Sequence, residues 1–154
     1  MPPRRSAGLL LFRRTAGNVQ VLLGHMGGPF FARRDDGAWS IPKGEYDEDE
    51  APLDAARREF TEEFGAPAPP GDYVEIGTIT QKNGKRVTAW AVEADLDATA
   101  IVSNTFEIEW PPKSGRTQAF PEVDRAAWFD VDTARHKMVG GQAALVDRLL
   151  DVLG

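Results

Sequence analysis

The first third of the chain alternates short apolar runs with turn-forming residues. Residues 7–12 and 19–23 are apolar runs that predict two strands, with a turn between them at residues 15–18. Residues 24–37 are rich in glycine and aspartate and predict a loop. Residues 39–41 form a short apolar segment that ends before a proline. Runs of this length are typical of strands rather than of helices.

Residues 52–64 follow the helical period instead. Apolar side chains recur at intervals of three and four residues and form a stripe on one side of the predicted helix: Leu53, Ala56, Phe60 and Phe64. Pro52 at the first position costs no helical hydrogen bond. Gly65 favours a C-terminal cap, and three prolines shortly after it prevent the helix from continuing.

The second half of the chain adds strands and two further helices. Residues 73–82 and 85–96 flank Asn83-Gly84, a strong hairpin signal because both residue types tolerate positive φ. The remaining pattern predicts strands over 105–110 and 125–129, a loop over 111–120, and helices over 131–138 and 141–153. Strands interrupted by helices in this way predict an α/β or α+β domain with a mixed sheet.

Composition and charge limit the classes of function. The length of 154 residues fits a single domain over residues 1–154. The absence of cysteine excludes disulfides, thiolate metal sites and cysteine nucleophiles. The formal net charge of −6 argues against nonspecific binding to nucleic acid or to an anionic membrane. Residues 1–6 do not lead into a signal peptide or a membrane span, so we expect a cytoplasmic protein.

The negative charge is concentrated in one window. Residues 44–63 hold nine acidic and two basic side chains, so this window carries −7 and the remainder of the chain +1. Within the predicted helix, Glu59, Glu62 and Glu63 stand at positions i, i+3 and i+4 and share one face. One interpretation is a solvated acidic helix end.

A cation site is the other interpretation of these three carboxylates. Like charges at this spacing cost about 0.2–0.5 kcal/mol per pair. Glu62 and Glu63 also lie in the last turn, where the helix dipole disfavours negative charge. A divalent cation would remove both penalties, and oxygen ligands without histidine or cysteine favour Mg²⁺ or Mn²⁺.

The sequence around this helix resembles the Nudix box. Gly44 is followed after five residues by Glu50 and, seven residues further on, by the run Arg-Glu-Phe-Thr-Glu-Glu-Phe-Gly over residues 58–65, with Ala66 at the last apolar position. The resemblance implies a Nudix-type α/β/α sandwich with a mixed β-sheet. It also implies hydrolysis of a nucleoside diphosphate linked to another group, by attack of water on a phosphorus atom of the pyrophosphate.

The resemblance also implies the metal ligands. Glu59, Glu62 and Glu63 would hold Mg²⁺ or Mn²⁺, and one of them would be the base that activates water. Gly44 would let the loop turn and offer its neighbouring carbonyl to the metal. Which of the glutamates is the base stays open, because coupled carboxylates around a metal share their protons.

Two further catalytic positions follow from the same resemblance. Arg58 would face the buried side and position the helix carboxylates through an ion pair, for which Glu50 is the candidate partner. Many members use an additional acid outside the box as a ligand or a base. Glu122 is the first candidate for this acid, and Glu107 and Glu109 are the next candidates.

The segment before the box bears on the substrate. The lead Trp-Ser-Ile-Pro-Lys-Gly over residues 39–44 is similar to that of diadenosine polyphosphate and diphosphoinositol polyphosphate hydrolases within the family. Lys43 would hold a phosphate oxygen as a point cation. Further cations that a long anionic substrate could use are Arg33, Arg34, Lys82, Lys85, Arg86, Lys113 and Arg116.

Three functions remain open at this point. The first is a Mg²⁺-dependent pyrophosphohydrolase that cleaves a dinucleoside polyphosphate or a nucleoside triphosphate. The second is a diphosphoinositol polyphosphate hydrolase, whose substrate demands a denser basic patch. The third is a catalytically silent domain that senses a nucleotide, although silent members usually lose a box acid and this sequence retains them all. In each case we expect a small-molecule polyphosphate as the partner and a monomer or homodimer.

Overall fold

The computed structural model describes residues 5–154 and has a mixed β-sheet between helices. Its elements are β1 Arg5–Thr15, β2 Asn18–Met26, β3 Trp39–Ser40, β4 Lys43–Glu45, α1 Pro52–Phe64, β5 Val74–Thr80, β6 Arg86–Glu93, β7 Thr105–Glu109, β8 Thr117–Pro121, β9 Val123–Asp130, α2 Val131–Lys137 and α3 Ala143–Leu153. The expectation about a signal peptide falls largely on residues 1–4, which lie outside the described residues. No helix within the described range is long and apolar enough to cross a membrane.

Strand β1 is the centre of the sheet. The strand order is β3-β2-β1-β6-β5, with β4 also paired to β1 and β9 to β2. β1 and β6 run parallel from Arg5↔Arg86 to Phe12↔Glu93, whereas the other pairs in this sheet are antiparallel. Residues 6–12 of β1 are buried without alternation, as expected for a strand that is covered on both faces.

The two faces of the sheet are covered by different helices. On one face, Phe60 and Phe64 of α1 pack in a cluster with Leu9 and Leu11, which β1 contributes from the sheet. Leu145 and Leu149 of α3 lie in a separate cluster on the other face. Because the side chains of β1 alternate between these clusters, one strand joins both cores. The mixed sheet and the α/β/α sandwich expected from the sequence are therefore confirmed.

Two short strands were not expected from the sequence. β4 has only the residues Lys-Gly-Glu, which have little strand preference, and it forms because Ala7↔Gly44 and its neighbours pair with β1. β8 lies in the segment expected to be a loop and pairs with β7 from Thr105↔Pro121 to Glu109↔Thr117. The loop expected from residue 24 also starts later, since β2 continues to Met26 along β9.

Candidate active site

Helix α1 presents its carboxylates at one end of the sheet. Pro52 lies in the first turn, and Gly65 caps the helix with φ of 72° while its N–H donates to the carbonyl of Thr61 over 2.8 Å. The buried rings of Phe60 and Phe64 fix the rotation of the helix, their centroids 5.2 Å apart. This rotation brings Glu59, Glu62 and Glu63 to the wall of a pocket, as the sequence spacing predicts.

The pocket has a volume of about 380 Å³ and is strongly acidic. Its lining contains only two lysines among the described residues, Lys43 and Lys85. It contains five carboxylates, those of Glu45, Glu59, Glu62, Glu63 and Glu122. The pocket thus unites seven of the predicted site positions, namely Lys43, Gly44, Glu59, Glu62, Glu63, Lys85 and Glu122.

A series of backbone hydrogen bonds places Glu122 opposite the helix. The N–H of Asn104 donates to the carbonyl of Glu62 over 2.8 Å, and the N–H of Glu122 donates to the carbonyl of Asn104 over 2.9 Å. The carbonyl of Glu122 in turn accepts from the N–H of Gly27 over 2.9 Å. Asn104 also satisfies one of the carbonyls that a helix end leaves without a helical partner. The fold thereby brings this distant acid to the box.

Gly44 serves a different purpose from the one expected. It lies in β4 rather than in a turn, and φ is not positive there. A Cβ atom at this position would lie 2.0 Å from the carboxylate carbon of Glu59. The absence of a side chain therefore makes room for that carboxylate, and the expected role in turning the loop is wrong.

Arg58 joins three carboxylates through its guanidinium group. Its Nε and Nη2 each donate to Glu50 over 2.9 Å, and Nη1 donates to Glu59 over 2.8 Å and to Glu62 over 3.3 Å. The expected ion pair with Glu50 is present. The side chain is 40% exposed, so the expectation that it faces the buried side is wrong. A planar guanidinium suits this arrangement because its donors diverge in one plane.

Burial perturbs the ionisation of the groups inside the pocket. It raises the pKa of Glu59, and repulsion from Glu62 raises it further. It raises the pKa of Glu63 to about 8, although the nearby Lys43 ammonium opposes this rise. Burial also lowers the pKa of Lys43, against the attraction of Glu63. Burial therefore disfavours the charged forms of Glu59, Glu63 and Lys43, a perturbation that is common at functional sites.

The donor set fits a hard divalent cation. The acidic groups on the pocket wall are all carboxylates, and two of them resist ionisation because they are buried near other acids. As the side chains stand, Arg58 bridges Glu59 and Glu62, and no three acidic or histidine groups in residues 5–154 are arranged to hold an ion. Glu62 is 42% exposed, which leaves its carboxylate room to turn into the pocket.

Some predicted residues lie elsewhere. Arg33 and Arg86 are exposed and, within the described chain, are not among the residues that line this pocket. Glu107 and Glu109, the reserve candidates for the additional acid, lie on β7 outside its lining. Asn104 lines the pocket but was not expected, because only its contact with the helix end places it there.

A buried glutamine holds the strand that leads into the box. Gln142 is completely buried, and its Oε1 accepts from the N–H of Ile41 over 3.1 Å. Its Nε2 donates to Ser40 Oγ over 2.9 Å and to Gln81 Oε1 over 2.8 Å. One side chain thus ties α3 to the segment before Lys43 and to the hairpin of β5 and β6.

Replacing Gln142 with leucine is expected to lower the free energy of unfolding by about 1–3 kcal/mol, because the buried N–H of Ile41 loses its acceptor. Urea unfolding followed by circular dichroism measures this change. Gln118→Leu makes the same substitution at an exposed position and should change stability by less than about 0.5 kcal/mol. Equal stabilities of the two variants would contradict the role given to Gln142.

Comparison with known proteins identifies the family. The NUDIX domain model matches residues 2–149, and the chain belongs to the Nudix family. Members of this family generally use divalent metal ions. The chain is 39% identical over 69 residues to an RNA pyrophosphohydrolase of Bartonella henselae, a match that covers 42% of this chain and 37% of that protein. Less than half of the length of this relative is therefore matched.

Solved structures agree with the fold. An Ap4A hydrolase of C. elegans in a binary complex superimposes with a TM-score of 0.65 at 21% identity and 97% coverage of both chains. The NUDIX domain of Shewanella oneidensis NrtR, complexed with ADP ribose, gives a TM-score of 0.67 at 16% identity and covers 100% of this chain and 90% of that one. The family and its pyrophosphohydrolase relative support the prediction of a hydrolase that acts on acid anhydrides.

Proposed function

We propose that this protein is a metal-dependent pyrophosphohydrolase that cleaves a phosphoanhydride bond in a nucleoside diphosphate-linked substrate. The observation that carries the proposal is the acidic pocket, in which α1, β4 and the segment before β9 bring five carboxylates together with Lys43 and Lys85. A solvated acidic helix end would not require distant residues to converge. It would also not require a glycine at position 44 to leave space for the carboxylate of Glu59.

The residues divide the chemistry between them. Glu59, Glu62 and Glu63, with the backbone at Gly44, would hold Mg²⁺ or Mn²⁺, which when bound neutralises phosphate oxygens and lowers the pKa of water. Lys43 and Lys85 bind and orient the phosphates. Arg58 is a positioning residue, since it contacts Glu59 and Glu62 rather than the reacting atoms.

The reaction balances with one water molecule. The water oxygen forms a bond to phosphorus, the anhydride P–O bond breaks, and a carboxylate accepts the proton of water before solvent removes it. Glu59, Glu62 and Glu63 on the helix and Glu122 on the opposite wall are the candidates for this base. One product carries the oxygen of water on the attacked phosphorus, and the other leaves with the former bridging oxygen, which keeps the electron pair of the broken bond.

The substrate that we favour is a dinucleoside polyphosphate or a nucleoside triphosphate. The NrtR domain shows that a nucleotide-derived ligand, ADP ribose, is bound by a protein of this fold. The name of the Bartonella relative adds RNA as a candidate. An RNA contains a phosphoanhydride only at an end that carries two or more linked phosphates, so this activity would overturn the expectation that no nucleic acid is bound.

A substrate screen tests the proposal. Dinucleoside polyphosphates, nucleoside triphosphates, ADP ribose, inositol pyrophosphates and 5′-triphosphorylated RNA are incubated with Mg²⁺ or Mn²⁺ in isotopically labelled water. Mass analysis of the products shows which phosphorus received the label. Turnover of a nucleotide polyphosphate that stops with a chelator is the expected result. If the protein bound a nucleotide but hydrolysed none of the compounds, the nucleotide-sensing alternative would be favoured.

A further inference from the structure

A second pocket adjoins the acidic one and has the opposite charge. Its volume is about 450 Å³, and it shares Met26, Lys43 and Lys85 with the acidic pocket. Four cations line it, namely Arg34, Lys43, Lys82 and Lys85, and within the described chain no acidic residue does. We call this cavity the basic pocket. A cavity with such a charge favours an anionic ligand.

The stem of the exposed Lys82 side chain packs along Gly140 at the edge of the basic pocket. The backbone N–H of Lys82 donates to the carbonyl of Gly140 over 3.1 Å. A Cβ atom on Gly140 would lie 2.5 Å from Cδ of Lys82 and 2.8 Å from its Cγ, so the lysine chain lies directly across the glycine. A lysine held in this way loses less conformational freedom on binding than one that extends into solvent.

Buried hydrogen bonds support the rest of the wall. The carbonyl of Arg34 accepts from Nε2 of the fully buried His25 over 2.7 Å. Gln81 is buried and accepts from Gln142, the same residue that holds the segment before Lys43. The basic pocket is therefore attached to the same buried network as the acidic pocket.

We propose that the basic pocket binds the phosphates that lie beyond the cleaved bond, so that the preferred substrate is a nucleotide with at least three phosphates in its chain. The anhydride that is cleaved places two phosphates of the substrate in the acidic pocket. A phosphate in the basic pocket must therefore be at least the third of the chain. Lys43 and Lys85 line both cavities, which makes the path between them continuous and positively charged. This inference rests on the proposed function, since it names the substrate class of that site.

Binding of inorganic tripolyphosphate to the metal-free protein tests the pocket without turnover. With a chelator present, the ionised carboxylates of the acidic pocket repel anions, so binding reports the basic pocket. We expect one saturable site by calorimetry. Arg34→Ala/Lys82→Ala should weaken it by about tenfold, since two charge-assisted contacts are lost. Gly140→Ala should weaken it without any change of charge, by displacing Lys82.

The matched control removes two positive charges at exposed positions away from both pockets. Arg5 and Arg14 are exposed and line neither cavity in the described chain. Arg5→Ala/Arg14→Ala should bind tripolyphosphate within twofold of the unchanged protein. Equal losses in the two double variants would show a general charge effect and would overturn the proposal, as would the absence of saturable binding.

Kinetics separate this inference from the proposed function. We expect Arg34→Ala/Lys82→Ala to raise KM for diadenosine tetraphosphate by about tenfold and to leave KM for ADP ribose, which has two phosphates, within twofold. Similar changes for both substrates would contradict the basic pocket as a phosphate site. If no substrate were hydrolysed, the proposed function would fail, and the tripolyphosphate titration would still decide whether the basic pocket binds phosphate.

Discussion

Glu63→Gln is expected to lower kcat by about 10²–10⁴-fold, the range typical of losing a positioned acid–base group, while the fold remains intact. The substitution keeps the shape of the side chain and replaces the carboxyl group beside Lys43 on the pocket wall by a neutral amide, which cannot ionise to bind a cation. Because Glu63 is also a proposed metal ligand, the metal concentration needed for half-maximal activity should rise. Steady-state kinetics across a range of Mg²⁺ concentrations measure both changes.

The control for this variant lies in the same acidic window. Glu48 is 90% exposed and its carboxylate lies 3.9 Å from Arg5, so Glu48→Gln removes one charge from the window without entering the pocket. Its kcat should stay within twofold of the unchanged protein, and circular dichroism should show the native fold in both variants. Full activity of Glu63→Gln would rule out the proposed metal site on α1.

Local signals predicted helix α1 completely. Pro52, the apolar spacing and Gly65 act within the helix itself, so both ends agree with the prediction. The carboxylate face followed from the same period, and with it the acidic wall of the pocket. The hairpin of β5 and β6 was predicted for a similar reason, although Gly84, with φ of 88°, is the member of the turn pair with positive φ.

Features that depend on distant contacts were not predictable from the sequence. β4 is too short to have a signal of its own, and it exists because β1 offers it a partner. Asn104 reaches the pocket through hydrogen bonds to Glu62 and Glu122, which no spacing along the chain encodes. The stem of Lys82 lies along the sheet end only because Gly140, far along the chain, leaves room for it. The sequence thus predicted most of the acidic lining of the first pocket, whereas tertiary contacts bring together the lining of the basic one.

Gly44→Ala is expected to lower kcat/KM by about 10²-fold, the cost of displacing a catalytic group by about 1 Å. The new Cβ would lie 2.0 Å from the carboxylate carbon of Glu59 and 2.2 Å from its Oε2, so the carboxylate must move. Stability should fall by less than about 1 kcal/mol, since the clash is with the far end of a flexible side chain. Steady-state kinetics and urea unfolding measure the two effects on the same samples.

Gly77→Ala supplies the opposite pattern and makes the prediction specific. Gly77 has a φ of 96°, and it is not among the residues that line either pocket in the described chain. This variant should lose about 1–3 kcal/mol of stability, because a residue with a Cβ is strained at positive φ, and its activity should fall only through loss of folded protein. Gly44→Ala should remain folded and still be slow, because its alanine displaces Glu59. If Gly44→Ala kept normal kcat/KM, the position of the Glu59 carboxylate would not matter for catalysis, and the ligand set on α1 would have to be reassigned.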